Sequence, residues 1–224
     1  MIKVIMAAFV AILPQKLKHI IFKVAYGYDI SKTAYIGFSI ITVKHLKLGP
    51  NARIGHLNMF KGLEYLTLDE HASIGNLNWV TGFPIGLESN HFKDCEARTP
   101  LLYIGKHSAV TNRHLIDCTA SFRIGSFTTF AGFRSQVLTH SINLKESKQD
   151  ASSIEIGDYC FIGTSCVLLP GSSLPSYSVL SANSLLSKSQ CEELTLYGGN
   201  PAVKIKSLLV EDFKYFSRTK GFIE

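Results

Sequence analysis

Residues 154–188 read IEIGDYCFIGTSCVLLPGSSLPSYSVLSANSLLSK, and this stretch repeats a unit of six residues. One phase of the repeat carries only aliphatic residues, which are Ile156, Ile162, Leu168, Leu174, Leu180 and Leu186. The fourth residue after each of the first five is small, namely Cys160, Cys166, Ser172, Ser178 and Ser184. Six residues are too few for a helical unit but suffice for one short strand and a corner. The stretch therefore predicts a solenoid whose aliphatic rows point inward and stack into a continuous core.

The same unit recurs upstream, at Ile36-Gly37, Ile54-Gly55, Ile74-Gly75, Ile104-Gly105 and Ile124-Gly125. Three units make one triangular coil of about 18 residues, and successive coils stack about 4.8 Å apart, as paired strands do. The phase slips between Ile116 and Ile124, which predicts a bulge or a longer corner there. We therefore expect the solenoid to occupy residues 30–206.

The composition restricts the class of protein. Of the 224 residues, 46% are hydrophobic and 18% are charged, which is enough for a chain folded around its own core. The five cysteines are odd in number and form no CxxC pair, so reduced thiols are favoured over a disulfide framework or a zinc cluster. The formal charge of +6 is not arranged as a basic stripe with interleaved aromatics, and we expect no nucleic-acid partner.

Two stretches break the repeat, and we interpret both as loops that project from the coils. Residues 83–102 read FPIGLESNHFKDCEARTPLL, and residues 138–153 read LTHSINLKESKQDASS. Both are polar and lack the aliphatic phase. Loops inserted on a rigid scaffold are a usual place for function.

The two ends of the chain have a different character. Residues 1–29 are predicted to be a helical segment that packs on the body or between subunits, and residues 4–13 are an apolar run too short to span a bilayer. This segment is basic and has no acidic residue before Asp29, so contact with a membrane surface is a second interpretation. Residues 207–224 are predicted to form a short helix that caps the open end of the solenoid.

Over about residues 30–206 the chain resembles the hexapeptide-repeat acyltransferases, and the resemblance is strongest over residues 153–206. There the repeats lead to YGGNPAVKIK at residues 197–206, similar to the exit segment of sugar and xenobiotic O-acetyltransferases. The resemblance implies an all-β, left-handed parallel β-helix with an N-terminal and a C-terminal helix. It also implies a homotrimer, with acetyl-CoA as co-substrate, no metal, and a sugar or polysaccharide-related acceptor.

The resemblance also points to a catalytic base. Acyl transfer needs a base near pH 7, and histidine has a suitable pKa. Thr139-His140 opens the second loop, where the acetyltransferases that this chain resembles carry their catalytic histidine, so we assign the base to His140. His114 is the rival for this role and a candidate acceptor contact, because a side chain of its size at a small-residue position is expected to point outward. Further acceptor candidates are Asn112, Asp117, Arg134 and residues 83–99.

By motif matching, the resemblance implies the residues that bind CoA, which are Gly163, Thr164, Ala182, Ser187, Lys188, Lys204 and Lys206. The backbone amide of Thr164 would donate to the oxyanion that develops in the reaction. The two lysines of the exit segment would pair with phosphates. Relatives often carry arginine in this segment, whereas this chain has Val203 and lysines, so the individual phosphate contacts stay open.

Three alternatives stay open at the level of sequence. The same scaffold supports N-acylation of an amino-sugar, because nothing in the residues separates amine from hydroxyl acceptors. A zinc hydro-lyase would need three converging histidines, for which His107, His114 and His140 are the candidates. A non-catalytic scaffold or binding module is the third. For an enzyme of intracellular intermediates we expect a cytoplasmic location, either free or at the inner face of the membrane.

Overall fold

The computed structural model describes residues 2–95 and 97–221. Two helices, α1 (Ile2–Ala11) and α2 (Gln15–Tyr26), stand where the sequence predicts one helical segment. The buried ring of Phe22 on α2 packs against Tyr28, and Lys18 Nζ donates to the carbonyl oxygens of Ile36 and Gly37. The second helix therefore closes the N-terminal end of the solenoid. Within the described residues, no helix has the length and apolar character needed to cross a membrane.

The strands that follow form three sheets, which are the three sides of the solenoid. Side A contains β1 (Asp29–Ile30), β4 (His45–Leu48), β7 (Tyr65–Leu68), β10 (Leu101–Ile104), β13 (Ser121–Ile124), β18 (Ile154–Ile156) and β21 (Ser173–Leu174). Side B contains β2 (Tyr35–Ile36), β5 (Arg53–Ile54), β8 (Ser73–Ile74), β11 (Ala109–Val110), β14 (Thr129–Phe130), β19 (Phe161–Ile162), β22 (Val179–Leu180), β24 (Thr195–Gly198) and β25 (Val203–Ser207). Side C contains β3 (Ile40–Thr42), β6 (Met59–Lys61), β9 (Trp79–Thr81), β12 (Leu115–Asp117), β15 (Gln136–Val137), β20 (Val167–Leu168) and β23 (Leu185–Leu186).

The register follows the hexads. Ile162 pairs with Leu180 and Leu168 with Leu186, so one coil takes 18 residues, and all four side chains are buried. All neighbouring strands are parallel except β24 with β25 and the hairpin of β16 (His140–Asn143) and β17 (Lys148–Ala151). The predicted solenoid with inward aliphatic rows is confirmed.

The phase slip is a longer corner. Ile104 pairs with Ile124, so this coil contains 20 residues rather than 18. The extra residues lie between β12 and β13, where Cys118, Thr119 and Ala120 are all buried. This corner, at which the chain passes from side C to side A, is called the CA corner in every coil. The AB and BC corners are named in the same way.

The predicted C-terminal helix is not found in the part of the chain that the structure describes. Two 3-10 turns, Val210–Asp212 and Lys214–Ser217, take its place. The tail leaves the open end, because β25 runs antiparallel to β24 and turns the chain back. Tyr215 Oη then donates to the carbonyl of Cys160, and the amide of Gly221 donates to Nδ1 of His107.

A column of stacked rings at the AB corner explains where the tail lies. Successive ring centroids are 4.8 to 5.0 Å apart along the column. Each of these residues has φ near +55°, which places its side chain at the same point of the corner. The guanidinium of Arg218 lies over Tyr159, and Phe216 packs on Tyr177. The column consists of His71, His107, Phe127, Tyr159 and Tyr177.

Candidate active site

Both inserted loops leave the solenoid at the CA corner and contact each other. The first loop occupies residues 82–100, between β9 and β10, and the second occupies residues 138–153, which contain the β16–β17 hairpin. Lys148 Nζ lies 2.9 Å from Asp94 Oδ2 and ties the hairpin to the first loop. An open cavity of about 320 Å³ lies at the base of the two loops, lined by Thr81, Gly82, Phe83, His91, Phe92, Asp117, Thr119, His140 and Gln149.

His140 and Asp117 form a hydrogen-bonded pair in this cavity. His140 Nδ1 lies 2.8 Å from Asp117 Oδ2, because Asp117 ends β12 one coil above the start of the second loop. An ionised carboxylate only accepts, so Nδ1 carries the proton and the lone pair of Nε2 is free to act as a base. Nε2 has no hydrogen-bond partner among the residues that the structure describes.

Two threonines hold the carboxylate of Asp117 in place. Thr139 donates to Oδ2 from its backbone amide at 3.0 Å and from its hydroxyl at 2.6 Å, and Thr119 donates to Oδ1 from its hydroxyl at 2.7 Å. Burial raises the pKa of Asp117, but the hydrogen bonds from His140, Thr139 and Thr119 outweigh it and the net pKa is lowered. The carboxylate is therefore ionised near pH 7.

The same hydrogen bond raises the pKa of His140 above its ordinary value of 6.5, against a smaller opposing effect of burial. A stronger base is the result, provided that the pH stays above this raised pKa. The imidazole remains half-buried and opens onto the cavity, so a substrate hydroxyl has access to it. The pair has the composition of an oriented general base.

An aromatic wall from the first loop borders His140. The ring of Phe92 meets the imidazole edge to face at 5.7 Å, and Phe92 has φ +61°, a conformation that is rare outside glycine. Arg98 holds this wall, because its guanidinium lies over both Phe83 and Phe92. The same guanidinium donates to the carbonyls of Phe83, Pro84 and Thr119. The loop is thereby fixed against the solenoid beside His140.

The expectation that His114 points outward is wrong. Its imidazole is buried inside the BC corner, where Nδ1 accepts from the amide of Ser135 and Nε2 faces the hydroxyl of Thr111. Burial lowers the pKa of His114 to about 4, so it is neutral near pH 7. It lies at another corner from the cavity of His140, and it contacts Phe130 of the core rather than an acceptor.

The remaining acceptor candidates divide between two corners. Asp117 lies in the cavity, but there its carboxylate accepts from His140 and two threonines. Asn112 lies at the BC corner, where its side-chain oxygen accepts from the amide of Asn76 in the coil above. Arg134 is also at that corner, beside Phe133. Of these acceptor candidates, Asp117 and the described residues of the first loop lie beside His140 in the same chain.

Three of the predicted CoA contacts share the BC corner of the last coils. Gly163 lies so close to the next coil that a Cβ atom would come within 2.6 Å of the amide of Ala182. Among the described residues, no acceptor is found for the backbone amides of Thr164 and Ala182. The corner therefore offers outward N–H donors from successive coils, which suits the amide carbonyls of a pantetheine arm.

The other predicted CoA contacts are dispersed. Ser187 and Lys188 follow β23 and lie at the CA corner of the last coil. Lys204 and Lys206 lie on β25, next to β24 on side B, and Lys204 forms an ion pair with Glu192. The lysines of β25 are exposed, and Pro201 and Ala202 connect their strand to the BC corner. Ser187 and Lys188 have no such connection to the BC corner.

The structure also bears on metal binding. No cluster of three or more His, Cys, Asp or Glu side chains suitable for a metal is found in residues 2–95 and 97–221. The three histidines of the zinc hypothesis lie at three different corners of the solenoid, His107 at AB, His114 inside BC and His140 at CA.

The sequence did not indicate that Asp117 orients His140, and it gave no role to Thr119. Phe92 and Arg98 fall within the predicted acceptor loop, residues 83–99, but the sequence does not single them out. One signal was available, because the phase slip lies directly after Ile116 and marks Asp117 as the residue that begins an unusual corner. Asp117 and Thr139, which the hydrogen bond joins, are 22 positions apart in sequence, and this separation is not a multiple of six.

No protein-family model matches this chain, and no curated protein matches it. Among solved structures, the polysialic acid O-acetyltransferase OatWY is similar, with a TM-score of 0.60 and 17% identity over 82% of this chain and 85% of that chain. UDP-N-acetylglucosamine acyltransferase from Campylobacter jejuni has a TM-score of 0.52 and 15% identity over 80% of this chain and 73% of that chain. The hexapeptide-repeat acetyltransferase VCA0836 from Vibrio cholerae has a TM-score of 0.48 and 16% identity over 93% and 92%. At these identities the likeness establishes the fold, and the chain is a left-handed parallel β-helix.

Proposed function

We propose that the protein is an acetyl-CoA-dependent O-acetyltransferase, acting on a hydroxyl group of a sugar or polysaccharide-related acceptor. The observation that carries this proposal is the His140–Asp117 pair, with Nδ1 held at 2.8 Å from the carboxylate and the imidazole open to a loop-lined cavity. An oriented imidazole of raised pKa is the base that acyl transfer to a hydroxyl needs.

In this proposal acetyl-CoA supplies the acyl group as a thioester. His140 Nε2 takes the proton of the acceptor hydroxyl while its oxygen bonds to the acyl carbon. The amide of Thr164 donates to the oxygen of that carbon as negative charge develops on it. The C–S bond then breaks, and the imidazolium returns its proton to the thiolate. Asp117 stays ionised throughout and stabilises the imidazolium.

Catalysis requires two subunits in this proposal. His140 lies at the CA corner and Thr164 at the BC corner, so a whole side of the solenoid separates them. A hexad that advances at roughly 3.3 Å per residue spans roughly 20 Å, so the two residues of one chain lie far apart along this side. One thioester cannot touch both. A cyclic assembly that brings the CA corner of one copy against the BC corner of the next completes the site.

An exposed apolar surface on side C supports such an assembly. Trp79 is 56% exposed and Leu115 is 54% exposed, and the two residues are paired neighbours on the outside of β9 and β12. Leu77 and Phe133 are also exposed at the adjoining BC corner. Contiguous exposed apolar side chains of this kind mark interaction surfaces. We therefore propose a homotrimer whose neighbouring subunits meet along side C.

The acceptor class rests on the shape of the loop region. A second open cavity of about 550 Å³, lined by residues of both loops, adjoins the cavity of His140 at His91 and Phe92. An open cleft of this extent with an aromatic border suits a polar molecule of several rings, such as an oligosaccharide. The structural likeness to an enzyme described as a polysialic acid O-acetyltransferase favours the same class.

A thiol-release assay with acetyl-CoA and a panel of sugars, oligosaccharides and amino-sugars tests this function. We expect the purified protein to release free CoA thiol with a hydroxyl acceptor. The isosteric variant His140→Asn should lower turnover by about a hundredfold or more, because no base remains at that position. The matched control His45→Asn removes an exposed histidine from another coil and should leave turnover unchanged.

Two results would contradict the proposal. Full turnover by the His140→Asn variant would remove His140 from the role of base. Binding of acetyl-CoA without thiol release on any acceptor would favour a non-catalytic binding module. Faster thiol release with amino-sugars than with all hydroxyl acceptors would instead identify an N-acyltransferase.

A further inference from the structure

The first helix exposes apolar side chains that its own chain leaves uncovered. The inward face of α1 is apolar and buried, with Ala7 and Val10 packed toward the solenoid. Its outward face is equally apolar, since Ile5 and Phe9 are each 63% exposed. A helix that is apolar on both faces needs a partner on each of them. The solenoid supplies one partner for α1, and the other lies outside the chain.

The second helix has an exposed apolar face of its own. Phe22 on its inner face is buried in the solenoid end, whereas Ile20 and Val24 on the opposite face are 59% and 81% exposed. These two residues are four positions apart and therefore lie one above the other on the helix. Because α2 closes the N-terminal end, its outward face points away from the coils and away from the loop cavity.

The charge around this surface has one sign. Lys16 and Lys23 are exposed on α2 beside Ile20 and Val24, and no acidic residue precedes Asp29. Lys18 is not part of this set, because its buried ammonium group donates to two backbone carbonyls of the solenoid. An apolar surface bordered by lysines matches the interfacial region of a bilayer that carries anionic lipids.

We propose that the N-terminal patch, made of Ile5, Phe9, Lys16, Ile20, Lys23 and Val24, binds the surface of a membrane containing anionic phospholipids. Helices of 10 and 12 residues lie on such a surface and do not cross it. A second copy that binds through the same patch is a poorer occupant, because this two-fold contact would face lysines with lysines and offer no carboxylate from this segment. The proposal is independent of the acyltransferase reaction.

Vesicle sedimentation with the full-length chain tests this proposal. We expect the protein to sediment with vesicles of phosphatidylcholine and phosphatidylglycerol, and much less with vesicles of phosphatidylcholine alone. Lys16→Gln combined with Lys23→Gln should weaken partitioning by about tenfold, as expected for two lysines near an anionic surface. Ile20→Ser combined with Val24→Ser should weaken it similarly, by removing apolar burial. The control Lys214→Gln with Lys220→Gln removes two exposed lysines of the C-terminal tail and should not change it.

Three outcomes would overturn the proposal. These are absence of the protein from both vesicle pellets, equal binding to both lipid compositions, and partitioning of both patch variants like the control. Light scattering would detect the remaining possibility, since loss of self-association in the Ile20→Ser, Val24→Ser variant would identify a second copy as the occupant. Circular dichroism checks that each variant is folded. Thiol release without vesicles should stay at the wild-type rate in all of them, which separates this proposal from the acyltransferase proposal.

Discussion

At the scale of single residues, the feature with most consequence is the carboxylate of Asp117. Three side chains and one backbone amide share its two oxygens, so it is both held in place and kept ionised. Its position fixes the tautomer of His140, because only an Nδ1–H proton can satisfy the 2.8 Å contact. In the proposed reaction Asp117 touches no substrate, but it decides which nitrogen of His140 carries the proton.

We expect Asp117→Asn to lower kcat by about a hundredfold to ten-thousandfold, because the amide allows the wrong tautomer of His140. The pKa of His140 is raised mainly by Asp117, so the acid limb of the pH profile of kcat/KM should move to lower pH in the variant. Rates measured across this pH range check both effects. An unchanged acid limb would mean that Asp117 acts only through the fold of the corner.

At the scale of elements, the BC corner contains an internal hydrogen-bond ladder that runs from coil to coil. Asn78 accepts from the amide of His114, and His114 accepts from the amide of Ser135. In the same way, Asn58 accepts from the amide of Asn78, and Ser135 accepts from the amide of Cys166. At this corner the small-residue position of the hexad is thus a buried polar position, where each side chain accepts a hydrogen bond from a backbone amide of the next coil. His114 fits there because a neutral imidazole has one acceptor nitrogen.

This ladder predicts a pH-dependent stability. The pKa of His114 falls from 6.5 to about 4 in the folded chain, so the unfolded chain binds its proton first as the pH falls. The free energy of unfolding should then decrease between about pH 6.5 and about pH 4, by about 3 kcal/mol from this residue. The variant His114→Asn places at this position the residue type found at Asn58 and Asn78. It should remove the part of the decrease in unfolding free energy that comes from His114.

Urea unfolding across this pH range measures the effect, with His45→Asn as the control for an exposed histidine. Equal pH dependence in wild type and in the His114→Asn variant would contradict the assignment. The same variant should keep the wild-type pH profile of turnover, because His114 lies outside the cavity of His140.

At the scale of the whole molecule, the two ends and side C of the solenoid differ in what covers them. The N-terminal end is closed by α2, and the tail folds back along the column of rings at the AB corner. On side C, α1 packs against β3, whereas Trp79 and Leu115 of later coils are apolar and exposed. That side connects the corner with His140 to the corner with Thr164, so association along it joins the two halves of the proposed site.

We expect Trp79→Arg to convert the proposed trimer into smaller species and to lower thiol release with them. The side chain is 56% exposed in the single chain, so the fold of each subunit should persist. Size-exclusion chromatography with light scattering gives the mass, and thermal unfolding checks the fold. Tyr65→Arg is the matched control on side A and should change neither mass nor rate. A wild-type protein that is monomeric and active would contradict the intersubunit site.

The solenoid could be predicted from the sequence because its core is local. Ile156, Ile162 and Leu168 each fill one side of one coil, and the partner of each lies 18 residues on, so a six-residue period specifies both burial and pairing. The sequence also places His140 at the start of a stretch in which this period stops, but its role as base comes from the family resemblance and stays a prediction. What the sequence determined by itself is the part of the molecule that repeats.

Only the tertiary structure decided the features that depend on unequal coils. The contact of Asp117 with His140 arises where a 20-residue coil meets an inserted hairpin, and the period carries no information about that register. The inward position of His114 depends on amides of neighbouring coils, and the path of the tail depends on the rings of His107, Tyr159 and Tyr177 in different coils. Such contacts join residues that the repeat treats as unrelated, so their physical cause is the stacking of the coils.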